Sequence, residues 1–477
     1  MMTKFYRRNT VKIILLAVLA FTGSLFSQKN SILCRTADDV AASLKTLVPG
    51  KQIVLADGEY RFASPLVVEA AGSKGKPIVI RSENRNKAFI VGNTSVIFRN
   101  ASYITIEGLV FNNNGSSAVL LEGCNNIRIT RNIFRLHENG RGSWVMVTGN
   151  NNDTLSLSHH NTIDRNLFEE KKELGNFITI EGTKTIPSTV SQHDVIEWNY
   201  FRNIGPRVEN VLEAIRIGSA EYTLSRGYTI LQNNLFERCD GDPEYISIKQ
   251  SDCSVRNNTF IECLGSLSLR HGNHSTVEGN VIIGNNRTGT FTDSTGKIWT
   301  LGTGGIRFCA DSMIIVGNYC EGLTGKEWDA TVAATNGDAD YGEGKPLTKH
   351  YRITNALVAD NIFVNNVSGI EIGFNGAGFQ GNWWSKPPAR IMFRNNVVVG
   401  NNDTLVKFMD NPVNTLFEKN FVYPTGKAVA SSMPVPGIEI KDPQLVRSNG
   451  FFLPKGFLSS KNKFHRLTPV DVGPDSR

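Results

Sequence analysis

The sequence predicts an all-β chain, a single-domain right-handed parallel β-helix with a short capping helix at its N-terminus, and three observations lead there. An Asn-x-apolar step recurs ten times, from Asn132-Ile-Phe134 to Asn420-Phe-Val422, at intervals of 22 to 43 residues. Between these steps runs a second column of alternating segments: FITIEG (177–182), EAIRIG (213–218), EYISIK (244–249), GSLSLR (265–270), GGIRFC (304–309) and SGIEIG (368–373). No helical period crosses the middle of the chain, and the regularly spaced hairpin turns of a sandwich or propeller are lacking. A circuit of about 22 residues holds three short strands and three turns, and a one-dimensional stack accepts insertions on one side, which accounts for the longer intervals. An Asn at the same place on each circuit can bond to the Asn above and below, with Phe residues stacked inside.

From the N-terminus, Lys4, Arg7, Arg8 and Lys12 precede the apolar run 13–21, and small residues follow at Gly23, Ser24 and Ser27. Residues 1–27 therefore read as a signal peptide, with an uncleaved anchor as the alternative, and the mature chain is expected to be secreted or periplasmic. Their removal deletes four cations and no acid, so 51 cations against 44 acids become 47 against 44, about +3. That balance says little about a partner. No nucleic acid is expected, nor a membrane once the signal is cleaved, and oligomeric state is not legible. Seven cysteines lack metal-ligand spacing. They read as small buried residues, although Cys253 with Cys263 or Cys309 with Cys320 could pair in an oxidising compartment. Residues 36–46, with Thr36 as N-cap and Val40, Ala41 and Leu44 on one face, read as the capping helix. The β-helix is expected over 28–430, and 431–477 as a tail packed on the outside or over the last coil.

The chemistry concentrates in Asp242–Arg270. ISIK (246–249) recurs as LSLR (267–270), so a strand would turn the apolar pairs inward and the Ser and cation outward. Lys249 and Arg270, 21 residues apart, then fall on neighbouring strands. Two stacked cations repel, and an acidic ligand or substrate would satisfy them. Asn210 and Glu213 stand at the start of one central strand, Asp242 and Glu244 at the start of the next. Strict alternation would bury both acids of the second pair, so the chain is expected to turn before Tyr245 and leave them on the rim. An Asn carbonyl with carboxylates is a hard-oxygen set suited to Ca²⁺; a set of turn residues and surface acids is the other reading.

These residues resemble polysaccharide lyase family six, the family of alginate lyases and chondroitinase B. The motifs are NxxEAIRIG (210–218), the Asp242-x-Glu244 segment leading to Lys249, Leu-x-x-Arg-His-Gly (267–272) and Val-x-Gly-Asn (277–280), within a stretch from about residue 47 to 396. The resemblance implies a right-handed parallel β-helix, Lys249 as general base, Arg270 as general acid, and Asn210, Asp242 and Glu244 as Ca²⁺ ligands. Four positions depart from the family pattern. Val211 and Leu212 stand where two Gly are common, Asp242 where a Glu is common, and Lys349 where chondroitinase B has an acid. The last favours alginate over dermatan-type substrate.

An acidic polysaccharide of 4-linked uronates is then the expected substrate, cleaved by β-elimination. Ca²⁺ would neutralise the uronate carboxylate, a neutral Lys249 would accept the C5 proton, and Arg270 would serve the departing O4. His271, Arg307 and Glu213 are expected to contact substrate, His271 and Arg307 by holding other carboxylates. A dermatan-type lyase and a non-catalytic carbohydrate-binding β-helix are the alternatives.

Overall fold

The computed structural model describes residues 30–150, 156–184, 187–343, 350–378, 384–455 and 464–476. The proposed signal peptide and Lys349 lie outside them. The described chain winds into three long sheets of parallel strands, each coil contributing one strand to each sheet. One coil shows the pattern: Ser254–Arg256 in the first sheet, Thr259–Ile261 in the third, Gly265–His271 in the central one. All six segments of the second column supply central-sheet strands. The fold is the expected parallel β-helix.

The Asn steps build its corner. From Asn132 to Asn420, each Asn Oδ1 after the first accepts both the backbone N–H and the Nδ2–H of the Asn one coil before. For Asn234 on Asn258 the distances are 2.9 and 3.0 Å, and for Asn258 on Asn280 the same. The residue before each Asn sits in the left-handed region, as at Asn257 (φ 54°) and Asn233 (φ 55°), and turns the chain between the first and third sheets. Inside, Phe111, Phe134, Phe168, Phe201, Phe236 and Phe260 stack with centroids 4.5 to 5.0 Å apart, about the strand spacing. Asn258→Ala should strand the buried Asn234 N–H and take a donor from the Leu231 carbonyl, and cost about 1–3 kcal/mol, read as a lower midpoint in denaturant; an unchanged midpoint would mean that the ladder is ornamental.

The capping helix α1 spans Ala37–Leu44. Thr36 accepts from Asp39 N–H and Asp39 accepts from Thr36 N–H, a complete capping box, and Val40 faces the first coil. All seven cysteines are buried thiols, so neither Cys253–Cys263 nor Cys309–Cys320 is bridged. At the far end the chain runs back along the outside of the third sheet. Phe451 and Leu453 pack on Val281, Tyr319 and Ile362, and Leu467 and Val472 on Tyr200 and Leu235. The Pro474 carbonyl then accepts from Arg85 and Arg131.

Candidate active site

The outward residues of the central strands form one row, Thr179, Arg216, Ser247, Ser268 and Arg307, in direct register. Two bulges between Glu244–Lys249 and Gly265–His271 decide what lies beside it. Glu244 pairs with Ser266 but Ile246 with Leu267, so Tyr245 is an extra residue. Its ring goes to the core, 5.2 Å from Phe260, and Ile246 follows it inward. Glu244 is thereby left on the outer face. The expected turn before Tyr245 is a bulge within the strand, and the acids are not on an exposed rim: Glu244 is 2% and Asp242 3% exposed.

The second bulge corrects the stacking of Lys249 on Arg270. Lys249 lies opposite His271, and Arg270 is the extra residue. Carboxylates of the protein itself also answer the cations. Glu244 Oε1 accepts from Arg270 Nη1 and from Arg307 Nη1, each at 3.2 Å, while its Oε2 accepts from Ser247 at 2.5 Å. Burial works against the charge of Glu244, yet Arg270, Arg307 and Lys249 hold the carboxyl down at about 2. Glu213 lies 3.8 Å from Lys249 Nζ and accepts from Asn176 Nδ2 at 2.7 Å. It is buried, so it braces Lys249 from behind instead of standing open to a ligand. Lys249 and Arg270 keep part of their side chains in solvent.

Arg307 is on the expected face, but beneath aromatic cover: its guanidinium is 5.0 Å from the Trp328 ring and 5.8 Å from Trp384, and Nη2 is 3.4 Å from His350 Nε2. His271 is also buried. Burial, then Arg270 and Lys249, push it down to about 3, so at neutral pH it is a neutral hydrogen-bonding group and not a cation. Its Nδ1 has no hydrogen-bond partner, nor have Arg270 Nε and Arg307 Nε. Of these, the His271 and Arg270 nitrogens, which lie outside the tryptophan cover of Arg307, are ones an oxygen-rich ligand would satisfy.

The hard-oxygen set is partly assembled. Asp242 accepts from Glu244 N–H at 2.9 Å, and burial, Glu213 and Glu244 push its carboxyl up to about 8. That is a buried acid short of positive charge, which a divalent cation suits. Glu244 is of the right kind but already neutralises two arginines. Asn210 is exposed on the adjoining turn, and among the described residues no three His, Cys, Asp or Glu side chains converge as a metal cluster. Val211, where two Gly were noted as usual, holds φ 75°, a costly conformation for a β-branched residue. Val211→Gly should therefore raise stability by about 1 kcal/mol; a lower thermal midpoint would contradict this.

Asn176, His350, Trp328 and Trp384 join the site without having been expected there. Asn176 had a signal, since it occupies in NFI the place of Glu213 in EAI and of Glu244 in EYI. The other three come from insertions with no repeat to align them.

A fold of stacked coils with a cationic groove on one sheet defines a class, and the family follows from comparison. The family model described as Chondroitinase B matches residues 34–452, and the chain belongs to that family, polysaccharide lyase family six. Among solved structures it is similar to the PL6 family alginate lyase AlyGC, at 27% identity and TM-score 0.78 over 93% of this chain, which spans only 58% of that one. A mannuronic acid specific family 6 lyase from human gut microbiota shares the fold at 24% identity and TM-score 0.67, with 83% and 87% of the two chains covered. So does alginate lyase AlyF-OU02, solved with G6, at 20% and 0.73, over 93% and 94%. No curated protein matches the chain.

Proposed function

We propose that this protein is a secreted, calcium-dependent polysaccharide lyase that cleaves 4-linked uronate chains, alginate foremost, by β-elimination. The observation that carries the reading is the convergence, in a member of this family, of part-exposed Lys249 and Arg270 on one groove face with Glu213 and Glu244 buried behind them. Lys249 takes the C5 proton, the C5–H electron pair becomes the C4=C5 double bond, and the C4–O4 bond breaks as Arg270 donates to O4, directly or through water. Glu213 stands beside Lys249, which is neutral when it takes the proton, and Glu244 fixes Arg270, so that neither side chain has to reorganise as charge develops. Asn210, Asp242 and Glu244 are the residues that would hold Ca²⁺. When bound, the ion would offset the charge of the substrate carboxylate.

Chelation is expected to remove most activity, and Ca²⁺ to restore it better than Mg²⁺, whose rigid octahedral shell suits such a site poorly. Full turnover by protein shown to be metal-free by elemental analysis would reject the calcium assignment. Dermatan sulfate stays as the second substrate because the matching family is described as Chondroitinase B. Ultraviolet absorbance of the unsaturated product on alginate, mannuronan, guluronan and dermatan sulfate separates the two. The reading expects alginate or one of its homopolymers to be cleaved fastest, and faster turnover of dermatan sulfate would reverse the order. Export rests on the pattern of residues 1–27; no helix among the described residues is long and apolar enough to cross a membrane.

A further inference from the structure

The row that carries the site is open on one side of Arg270 and covered on the other. Toward the N-terminal coils it continues through Arg216, Thr179, Met146, Leu120, Ile97 and Val67; Thr179 is buried beneath its hydroxyl bonds to Ser143 and Asn176, but Arg216, Met146, Leu120 and Ile97 are half-buried and Val67 is 47% exposed. In the other direction Arg307, Ala333 and Glu371 follow in register, and they are 5%, 1% and 1% exposed. An alanine side chain hides only under something larger.

What covers it comes from both lips of the sheet. The 3₁₀ turn Glu327–Asp329 enters from the side where the central strands begin, and Glu327 N–H donates to Glu371 Oε2 at 3.0 Å. Trp384, Phe374 and His350 follow central strands and enter from the side where these end. The groups meet above the row: Trp328 is 5.4 Å from Trp384 and 5.5 Å from Phe374, and His350 is 4.2 Å from Trp384. Both tryptophans lie against the Arg307 guanidinium.

We infer that this aromatic bridge closes the groove at Arg307, so that the enzyme works from a chain end and releases short unsaturated products. The inference rests on the lyase reading. At ~4.8 Å per strand, the covered Arg307 lies about 5 Å along the row from the strand of Arg270, room for about one sugar between the reacting groups and the wall. A polymer cannot thread past a closed end, and only its terminal units fit beyond the cleaved bond. Glu371, buried behind the bridge and accepting from the Glu327 N–H, also repels any carboxylate that would continue that way.

The test follows product size and solution viscosity against unsaturated-product absorbance, on whichever of the four polymers is cleaved. Wild type should give mono- to disaccharides from the first time points while viscosity hardly falls. Trp328→Ala with Trp384→Ala, checked for fold by circular dichroism, should shift early products to longer oligomers whatever its rate. Trp384→Phe is the milder variant if the double one misfolds, and it should broaden the product range in the same direction. Early long oligomers and collapsing viscosity with wild type overturn the closed groove alone, as does a folded double variant with the wild-type profile. No absorbance on any polymer overturns the lyase reading and this inference with it.

Discussion

Lys249→Ala is expected to lose turnover by about 10²–10⁴-fold while keeping the fold, because its side chain leaves the groove face of Glu244–Lys249 and packs no core residue. The removed amine faces Glu213 at 3.8 Å, and Glu213 keeps its bond from Asn176, so the backing of the site survives the change. Circular dichroism and the thermal midpoint should match wild type. Retention of a tenth of wild-type turnover, a loss of only about 1.4 kcal/mol, would remove Lys249 from the role of base. Arg270→Ala is a poorer test, since it also strips a partner from Glu244.

The largest effect on stability is expected from Glu244→Gln. Glu244 is the shared counter-charge of Arg270 and Arg307, and Arg307 is sealed beneath two tryptophans where water cannot replace the lost carboxylate. Breaking a buried pair from one side costs about 3–5 kcal/mol, so the denaturant midpoint should fall clearly, and Arg307→Met on top of it should recover part of the loss. The pH dependence has a definite sign. The folded carboxyl sits near 2 against an ordinary 4.5, so its stabilisation is present above about 4.5 and is lost as pH falls toward 2. Wild type should lose stability through that window and the variant should lack this component. A midpoint equal to wild type, flat over the same range, would mean that the arginines find other partners.

What could be read from sequence was whatever repeats. The Asn corner and the Phe stack return coil after coil, the ISIK/LSLR repeat placed Lys249 and Arg270 on one outward face, and alignment of the GGIRF segment added Arg307 to it. The two bulges could not be read this way. Each adds one residue that the pattern does not betray: Tyr245 is as acceptable in the core as Ile246 and decides whether Glu244 points into the groove, and Arg270 decides whether Lys249 meets it or His271. The burial of Glu244 follows from the same shift. The aromatic bridge was invisible for another reason: Trp328, His350 and Trp384 lie in separate insertions, and only the winding of the coils brings them over Ala333.

The central claim is that bond cleavage here is elimination by Lys249 and Arg270. The mass of the products made from purified alginate by wild-type protein tests it most directly. Elimination splits the chain without adding water, so every new non-reducing end should be an unsaturated uronate, lighter by one water than a hydrolysis product, and Lys249→Ala should make almost none. Fragments that carry the added water, or no fragments from any uronate polymer, would contradict the account.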